Sequence, residues 1–547
     1  MKKVWQGIDL MSGRKKVNCP TVDCRSKEYA NDLNTFYARF DNHDFSKERE
    51  CIKNELLFEH ELYNDVCIDE YDVLKFMKKT NPNKACGPDK ISPKLIKICA
   101  EQLSGIFTFI FNLSLSDCKI PKIWKTSCIV PVPKKPNCKV MNDYRPIALT
   151  SCVMKIFEKV FIFNLQNITS SYLDPLQFAY RKNRSIDDAL LYALNKIYSH
   201  LEKKNSSVRI MFFDFSSAFN TIQPHLLAQK LIKMKVSPYT ILWILDYLTS
   251  RPQFVKIVSP CFQKVNGVRI LSSKTFLSET KITNTGCPQG TVLSPYLFSL
   301  YTSDYRDSHE LNTLVKYADD TFLLSLIIDY MDKHFSDATS NFVDWCKKNF
   351  LDLNVPKTKE MNIDFRKHPV DPVPIIIENE EVEKVDVFRY LGSFIDNKLN
   401  WSENTKQFLS KLNSRLYCLR KLGSFNVNTD ILQIFYSATI SGVLTSGATV
   451  WGNSMTQGDR DKFDRIFRRA GRIVGREQQT MTELTEKRMT QKLQAILNDE
   501  THPMRPEFDS MTIQRTGRLR LPKVKTTRYQ KSFIPTAAKI FNSNFKR

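Results

Sequence analysis

The spacing of apolar residues changes along the chain and predicts three kinds of region. Near the N-terminus the apolar positions follow helical spacing, i, i+3, i+4 and i+7, in the set Leu33, Phe36, Tyr37 and Phe40. Residues 150–395 alternate strand-like apolar runs with helical segments, which indicates an α+β core. Beyond residue 395 the spacing is mostly helical, and one apolar stripe comprises Phe463, Ile466, Phe467, Ala470, Ile473 and Val474.

The charge of the chain suggests a class of partner. It has 547 residues, 81 Lys and Arg against 58 Asp and Glu, and a net charge of +23. This excess favours a polyanion: nucleic acid first, an anionic membrane surface second. The membrane interpretation fails, because no apolar stretch approaches the roughly 18 residues of a spanning helix. The N-terminus has no apolar secretory segment and the 14 Cys include no C-x-x-C pair, so we expect an intracellular protein with reduced thiols.

The last part of the chain is especially basic. Residues 505–547 contain 11 Lys and Arg against two acids, Glu507 and Asp509. Tyr529, Phe533 and Phe541 lie among these cations, and this composition is typical of a segment that binds nucleic acid. A basic tail docked on an acidic surface of the same protein is the alternative.

Acidic residues inside apolar runs are the most informative feature. Asp214 follows Ile210-Met211-Phe212-Phe213, which predicts a buried strand that presents a carboxylate at its end. Asp319 and Asp320 lie between two apolar runs, which predicts a β-hairpin with both acids at its turn. An ordinary Asp-containing turn would also explain the pair. Adjacent carboxylates repel each other, however, and Mg²⁺ would cancel that repulsion.

Three such acids together predict a specific chemistry. One carboxylate on a strand end and two on a hairpin can hold two metal ions about 3.5–4 Å apart. Such a pair assists the attack of a hydroxyl on a phosphate and the departure of the leaving group. The sequence therefore predicts a phosphoryl-transfer site at Asp214, Asp319 and Asp320.

Three motifs in order resemble motifs A, B and C of reverse transcriptases. They are Phe213-Asp214 with Ala218-Phe219, then Gly286-Cys287-Pro288-Gln289-Gly290, then Tyr317-Ala318-Asp319-Asp320. Tyr390-Leu391-Gly392 is similar to the primer grip of these enzymes. The C-terminal segment around Thr526-Pro535 resembles non-LTR (LINE-type) retrotransposons of the jockey and chicken-repeat group.

The resemblance implies a role for individual residues. Asp214, Asp319 and Asp320 would be the catalytic metal ligands, and Phe219 would be the steric gate that excludes ribonucleotides. Further dNTP contacts are implied for Lys134 (or Lys135), Arg145, Gln289, Lys357 and Lys359. Contacts to template or primer are implied for Arg181, Arg184, Gly290, Tyr390, Leu391 and Gly392.

The resemblance also implies an architecture: an α+β right-hand polymerase with fingers, palm and helical thumb. We expect a helical lead-in over 1–80, fingers and palm over 81–395 with core motifs in 114–395, a thumb over 396–475 and a basic nucleic-acid-binding region over 476–547. Residues 256–284 are longer and more polar than this connection usually is, and we interpret them as an inserted surface loop. We expect neither the N-terminal endonuclease of full-length elements nor a ribonuclease H domain, as in a truncated copy.

The implied activity is RNA-directed DNA synthesis. Its partners would be an RNA template, a DNA primer or target DNA, dNTPs and two Mg²⁺ ions, with Mn²⁺ as a substitute. The implied location is the nucleus, with a cytoplasmic ribonucleoprotein stage. Two alternatives stay open: a related palm polymerase (telomerase, maturase or RNA-directed RNA polymerase), and a catalytically silent RNA-binding relic.

Overall fold

The computed structural model describes residues 26–58, 66–135, 138–265, 268–445 and 447–544. None of the helices in this part of the chain has the length and apolar character needed to cross a bilayer. The N-terminal part contains the helices α1 Lys27–Tyr37, α2 Ser46–Phe58, α3 Glu70–Lys78, α4 Pro93–Ile98, α5 Ala100–Ser116 and α6 Lys122–Lys125. The spacing of Leu33, Phe36 and Tyr37 predicts only the first of them, and residues 1–25 and 59–65 of the expected helical lead-in lie outside the described residues.

A first sheet, which we call the fingers sheet, has the order β2-β1-β4-β5, and β6 also pairs with β4. Its strands are β1 Ser127–Pro133, β2 Tyr144–Leu149, β4 Arg251–Val265, β5 Val268–Leu277 and β6 Lys281–Thr283. The interpretation of residues 256–284 as a loop is wrong, because β4 and β5 pair antiparallel from Lys256↔Leu277 to Val265↔Val268. A polar sequence can still form strands, because the ladder is made by backbone groups of two separate segments.

A second sheet, the palm sheet, has the order β12-β9-β3-β8-β7. Its strands are β3 Ser206–Phe213, β7 Asn312–Tyr317, β8 Asp320–Ile328, β9 Lys359–Asp364 and β12 Glu383–Lys384, and short β10 Ile376–Ile377 pairs with β11 Glu380–Glu381. The helices before and between these strands are α7 Cys152–Thr169, α8 Ile186–His200, α9 Pro224–Lys233, α10 Pro238–Leu248, α11 Ser294–Tyr301 and α12 Lys333–Lys348.

The position of strand β3 between two hydrophobic cores explains why its sequence is continuously apolar. Successive side chains of a strand point to opposite faces. Met211 and Phe213 pack into one hydrophobic core, whereas Ile210 and Phe212 pack into a second core on the opposite face. Both faces of the sheet are therefore covered, and all eight residues of β3 are buried.

A hairpin and a helical region follow the palm. The hairpin consists of β13 Val387–Tyr390 and β14 Ser393–Asp396. The helices are α13 Ser402–Ser424, α14 Thr429–Tyr436, α15 Gly442–Thr445, α16 Ala448–Trp451, α17 Gln457–Val474, α18 Met481–Leu497, α19 Arg505–Met511, α20 Thr527–Gln530 and α21 Phe533–Asn544. The mixed helix and sheet architecture confirms the predicted α+β class.

The C-terminal region packs against the palm. Asp188 at the start of α8 accepts hydrogen bonds from Lys492 Nζ at 2.9 Å and from His502 Nε2 at 3.1 Å. Tyr529 and Phe533 are 9% and 4% exposed and belong to the same hydrophobic core as α8. Tyr529 and Phe533 are therefore core residues of the folded protein. The binding of nucleic acid by the basic region 476–547 stays a prediction.

Candidate active site

Asp214 follows the last residue of β3, at one end of the palm sheet. Its backbone is held by the segment 352–358: Asn354 N donates to Asp214 O at 2.8 Å, and Ser216 N donates to Asp352 O at 2.8 Å. In the neighbouring strand β8, Thr321 pairs with Phe213. The same antiparallel register continued by one residue places Asp214 opposite Asp320.

Asp319 and Asp320 lie at the turn between β7 and β8, as predicted. Tyr317 pairs with Asp320, so the loop has two residues, Ala318 and Asp319. Ala318 has a φ of 58°, and the positive φ at the first loop position is the geometry of a type II′ hairpin, usually filled by Gly. Side chains from other elements hold this turn: Gln177 Oε1 accepts from Ala318 N at 3.0 Å, and the Tyr390 hydroxyl donates to Asp320 O at 3.2 Å.

An open cavity of about 450 Å³ lies beside the turn and between the two sheets. This volume is in the range of small-molecule sites. Residues from both sheets and from α1 line it. Those that the sequence singled out are Lys134, Arg145, Asp214, Phe219, Gln289, Gly290, Asp319 and Lys357.

The carboxylates of this site repel one another. Partial desolvation and then the charge of Asp214 raise the pKa of Asp319, although Arg145 acts in the opposite direction. Partial desolvation, Asp319 and Asp214 raise the pKa of Asp320 to about 6. Lys357 Nζ lies 3.3 Å from Asp214 Oδ2 and offsets part of the repulsion. A set of mutually repelling carboxylate oxygens fits a hard divalent cation.

The three acids do not form a closed three-ligand cluster in this arrangement. Asp214 and Asp319 line the cavity, whereas Asp320 is not among its lining residues. Across the described ranges no group of three such side chains is close enough to hold a metal ion as it stands. The shared repulsion nevertheless shows that all three lie within electrostatic reach of one another.

The Gly286–Gly290 turn is fitted closely against its neighbours. A Cβ on Gly286, which has a φ of +74°, would lie 2.6 Å from Asn220 O. Cys287 N donates to Phe219 O at 2.7 Å, so this turn supports the short helix that carries Phe219. The Phe219 ring also packs on Phe298, with centroids 4.8 Å apart, and lines the cavity.

Other predicted site residues are held away from the cavity. Lys359 Nζ pairs with Glu383 at 2.6 Å, which separates it from Lys357. Arg181 donates to Asp174 O at 2.9 Å. The Arg184 side chain is 2% exposed and ion-pairs with Asp499, so its contact in this arrangement is structural. A contact of Arg184 with the template stays a prediction.

The predicted primer grip is a tight hairpin turn between β13 and β14. Tyr390 pairs with Ser393, and both loop residues have positive φ, 47° at Leu391 and 87° at Gly392, as in a type I′ turn. The Tyr390 ring is buried against Phe212, with centroids 5.5 Å apart. Tyr390 therefore supports the turn between β7 and β8 through the hydrogen bond from its hydroxyl to Asp320 O.

Several residues of the site were missed by the sequence reasoning. Phe36, Tyr37 and Arg39 line the cavity from the N-terminal region, and no local signal distinguishes them from the rest of an amphipathic helix. Tyr180 also lines it, and burial followed by the charge of Asp319 raises the pKa of its hydroxyl to about 12. The sequence did contain a signal for Tyr180, since it lies in the same short segment as the predicted site residues Arg181 and Arg184.

Comparisons with known proteins agree with this geometry. Residues 132–395 match the family model described as "Reverse transcriptase (RNA-dependent DNA polymerase)", and that range includes Asp214, Asp319 and Asp320. Reverse transcriptase domains generally use divalent metal ions.

Three proteins of Drosophila melanogaster are similar to the chain, each 24% identical. The "Probable RNA-directed DNA polymerase from transposon BS" aligns over 398 residues, 70% of this chain and 42% of the relative. The "RNA-directed DNA polymerase from mobile element jockey" aligns over 408 residues, 71% of this chain and 41% of the relative. The "Probable RNA-directed DNA polymerase from transposon X-element" aligns over 364 residues, 63% of this chain and 37% of the relative. The chain thus matches about two fifths of the length of these relatives.

Proposed function

Because residues 132–395 of this chain form a reverse transcriptase domain, we propose that the protein is an RNA-directed DNA polymerase of a non-LTR retrotransposon. It would add dNMP to the 3′-hydroxyl of a DNA primer or nicked target DNA, with RNA as the template. It would act in the nucleus after a cytoplasmic ribonucleoprotein stage. The observation that carries the proposal is the cavity in which Asp214 and Asp319 face Lys134 and Arg145.

The three carboxylates have one role in this proposal. Asp214, Asp319 and Asp320 would hold two Mg²⁺ ions, or Mn²⁺ in their place, and the bound ions would neutralise charge on the attacking and leaving oxygens. The support from the structure is the raised pKa of Asp319 and Asp320, because both carboxylates lie where a dication relieves their repulsion. Two hydrogen bonds keep the turn in place, one accepted by Gln177 Oε1 from Ala318 N and one donated by the Tyr390 hydroxyl to Asp320 O.

The remaining cavity residues would bind the nucleotide. Arg145 and Lys134 present cationic groups that suit phosphate oxygens. Lys357, beside Asp214, would donate a proton to the leaving pyrophosphate. Gln289 and Gly290 would border the base pair, since the turn that holds them approaches the fingers sheet through the bond from Ala148 N to Gln289 O at 2.7 Å.

A primer-extension assay tests the proposed activity. The purified chain, with oligo(dT) annealed to poly(rA), dTTP and Mg²⁺, should lengthen the primer. The same assay with UTP distinguishes an RNA-directed RNA polymerase, for which UTP would be the better substrate. A folded protein that binds the RNA but extends nothing with Mg²⁺ or Mn²⁺ would instead be a silent relic.

Phe219 offers a test of sugar selection. A bulky ring beside the sugar rejects a 2′-hydroxyl by steric clash, so Phe219→Val should admit ribonucleotides and leave dNTP use nearly unchanged. We expect the ratio of kcat/KM for dTTP over UTP to fall by at least about tenfold, a size that pocket contacts commonly supply. An unchanged ratio would show that Phe219 only packs against Phe298.

A further inference from the structure

The N-terminal segment 27–41 reaches the candidate active site, although the reverse transcriptase match begins only at residue 132. Helix α1 ends at Tyr37, and the residues that follow it turn toward the cavity. Phe36, Tyr37 and Arg39 are among the residues that line it, together with Asp214 and Asp319. The wall of the cavity is therefore completed by a part of the chain to which the family match assigns no role.

This segment is fixed to the fingers sheet at both ends. Asn34 Nδ2 donates to Glu279 O at 2.8 Å, and Asn34 Oδ1 accepts from Gln253 Nε2 at 3.0 Å. Asp41 accepts from Thr285 Oγ1 at 2.9 Å and from Asn284 N at 3.0 Å. The position of the intervening residues is therefore set by the same sheet that carries Lys134 and Arg145.

Apolar contacts hold the segment along its length. Leu33 and Tyr37 are buried in a small core with Ile129, Ala148 and Val255 of the fingers sheet. The Tyr37 hydroxyl is buried and has no hydrogen-bond partner among the described residues. The helix is an integral part of the fingers, and the side chains at its end are held in place beside the cavity.

Arg39 is oriented by two aromatic rings. Its guanidinium carbon lies 3.8 Å from the centroid of the Phe36 ring and 4.1 Å from that of the Phe40 ring. One of its terminal nitrogens donates to Phe36 O at 2.6 Å, which leaves the other donors of the guanidinium for a ligand. Stacking of this kind restricts the side chain before a ligand arrives, so less entropy is lost on binding.

The cavity has an excess of positive charge. Its lining contains four cationic side chains, Arg39, Lys134, Arg145 and Lys357, against the two carboxylates Asp214 and Asp319. Arg39 has no carboxylate within ion-pair distance in the described ranges. Desolvation and then the neighbouring Lys357, Arg145 and Arg39 lower the pKa of Lys134, which shows that these cations repel one another. An anionic ligand would relieve this repulsion.

We propose that Arg39 binds the polyphosphate group of the incoming nucleotide, together with Lys134 and Arg145. This inference rests on the proposed function and assigns it a nucleotide-binding residue outside the family match. A triphosphate concentrates several negative charges on one small group, whereas a nucleic-acid strand carries one charge per nucleotide. A small cavity with converging cations beside Asp214 and Asp319 fits the more concentrated charge.

Steady-state incorporation of dTTP on poly(rA)/oligo(dT) tests this role. Arg39→Met removes the charge and keeps a long apolar side chain on the two rings, and Arg39→Lys keeps the charge but not the planar fork. We expect the KM for dTTP to rise about tenfold or more in Arg39→Met, and less in Arg39→Lys. The Kd for template–primer should not change. Lys27→Ala is the matched control, because Lys27 is in the same N-terminal segment, pairs with the exposed Glu279 and does not line the cavity.

Inorganic tripolyphosphate provides a readout that does not depend on catalysis. Its binding to the full-length chain, measured by calorimetry, should weaken about tenfold or more in Arg39→Met and remain unchanged in Lys27→Ala. If the wild type binds tripolyphosphate in this way but incorporates no nucleotide, the proposed function fails and the assignment of Arg39 stands.

Two outcomes would overturn the assignment. An unchanged tripolyphosphate affinity and KM in Arg39→Met, with an equal melting temperature, would show that Arg39 only packs on its rings. A higher Kd for template–primer with an unchanged KM and tripolyphosphate affinity would show that Arg39 contacts nucleic acid instead.

Discussion

The turn between β7 and β8 and the basic C-terminal region both stand out in the sequence. Only for the turn does the structure agree with the position that the sequence predicted for its side chains. Asp319 lies in a two-residue hairpin loop and Asp320 directly after it at the start of β8, next to Asp214, as the apolar runs on either side indicated. In the C-terminal region Tyr529 and Phe533, two of the aromatic residues that lie among the cations, are buried in a hydrophobic core.

The difference has a physical reason. Carboxylates that repel one another at close range are favourable only with a cation or another charged partner, so their presence restricts the possible explanations. An aromatic residue among cations has no such restriction, because burial in a core is favourable for it in almost any fold. Acids in apolar surroundings are thus stronger evidence for function than aromatic residues in basic surroundings.

The largest expected effect is at the catalytic turn. Asp319→Ala should lower the rate of primer extension by several orders of magnitude, because it removes a carboxylate that the reaction needs for metal-ion binding. The melting temperature and RNA affinity should stay close to those of the wild type, since Asp319 is solvent-exposed at a turn. A variant that extends primers at the wild-type rate would place the metal site elsewhere. The carboxylates of this turn would then be no better evidence for function than the C-terminal aromatic residues.

Burial of the C-terminal aromatic residues predicts a loss of stability. Phe533→Ala should lower the free energy of unfolding by about 3–5 kcal/mol, the range for truncating a buried Phe. Chemical denaturation measures this value, and Lys531→Ala, an exposed neighbour, is the control. A Phe533→Ala variant with unchanged stability and weakened RNA binding would show instead that the Phe533 ring contacts RNA.

The exposed cations of the same region can still bind nucleic acid. Arg515, Arg518, Arg520 and Lys523 are exposed and precede the buried α21. Replacement of all four by Ala should flatten the salt dependence of RNA binding by up to about one unit of slope for each phosphate that is no longer neutralised. The effect should be equal for two unrelated RNA sequences. Identical slopes for variant and wild type would show that these four cations do not neutralise RNA phosphates, and that the region only contributes to the fold.

The smallest effect concerns the stability of the metal-free protein. The pKa of Asp320 is raised to about 6, so the folded protein disfavours its ionised form. This penalty is fully present at pH 8 and disappears as the pH falls through about 6 toward the ordinary Asp value near 4. In the presence of a chelator, Asp320→Asn should therefore raise the melting temperature slightly at pH 8 and have no effect near pH 4. An equal melting temperature at pH 8 would mean that the repulsion is already relieved in the metal-free protein.

The site shows how far local pattern alone can go. The apolar runs were sufficient to predict β3, the hairpin of β7 and β8 and the three acids at their ends, because strand formation and charge burial depend on neighbouring residues. The helical spacing near Leu33 predicted α1, but not that α1 packs on the fingers sheet. The polar segment 256–284 was misinterpreted as a loop because the pairing of β4 with β5 is a relation between separate segments.

The sequence by itself predicted the candidate metal ligands Asp214, Asp319 and Asp320, because each lies at or beside the end of an apolar run that forms a strand. The tertiary structure alone decided which cations face them. It brings Lys357 to Asp214, pairs Lys359 with Glu383 and buries Arg184 against Asp499. It also adds Arg39 from an N-terminal segment that is distant in sequence. Lys and Arg side chains are long and tolerated almost anywhere on a surface, so their partners are set by the packing of distant elements and not by their neighbours in sequence.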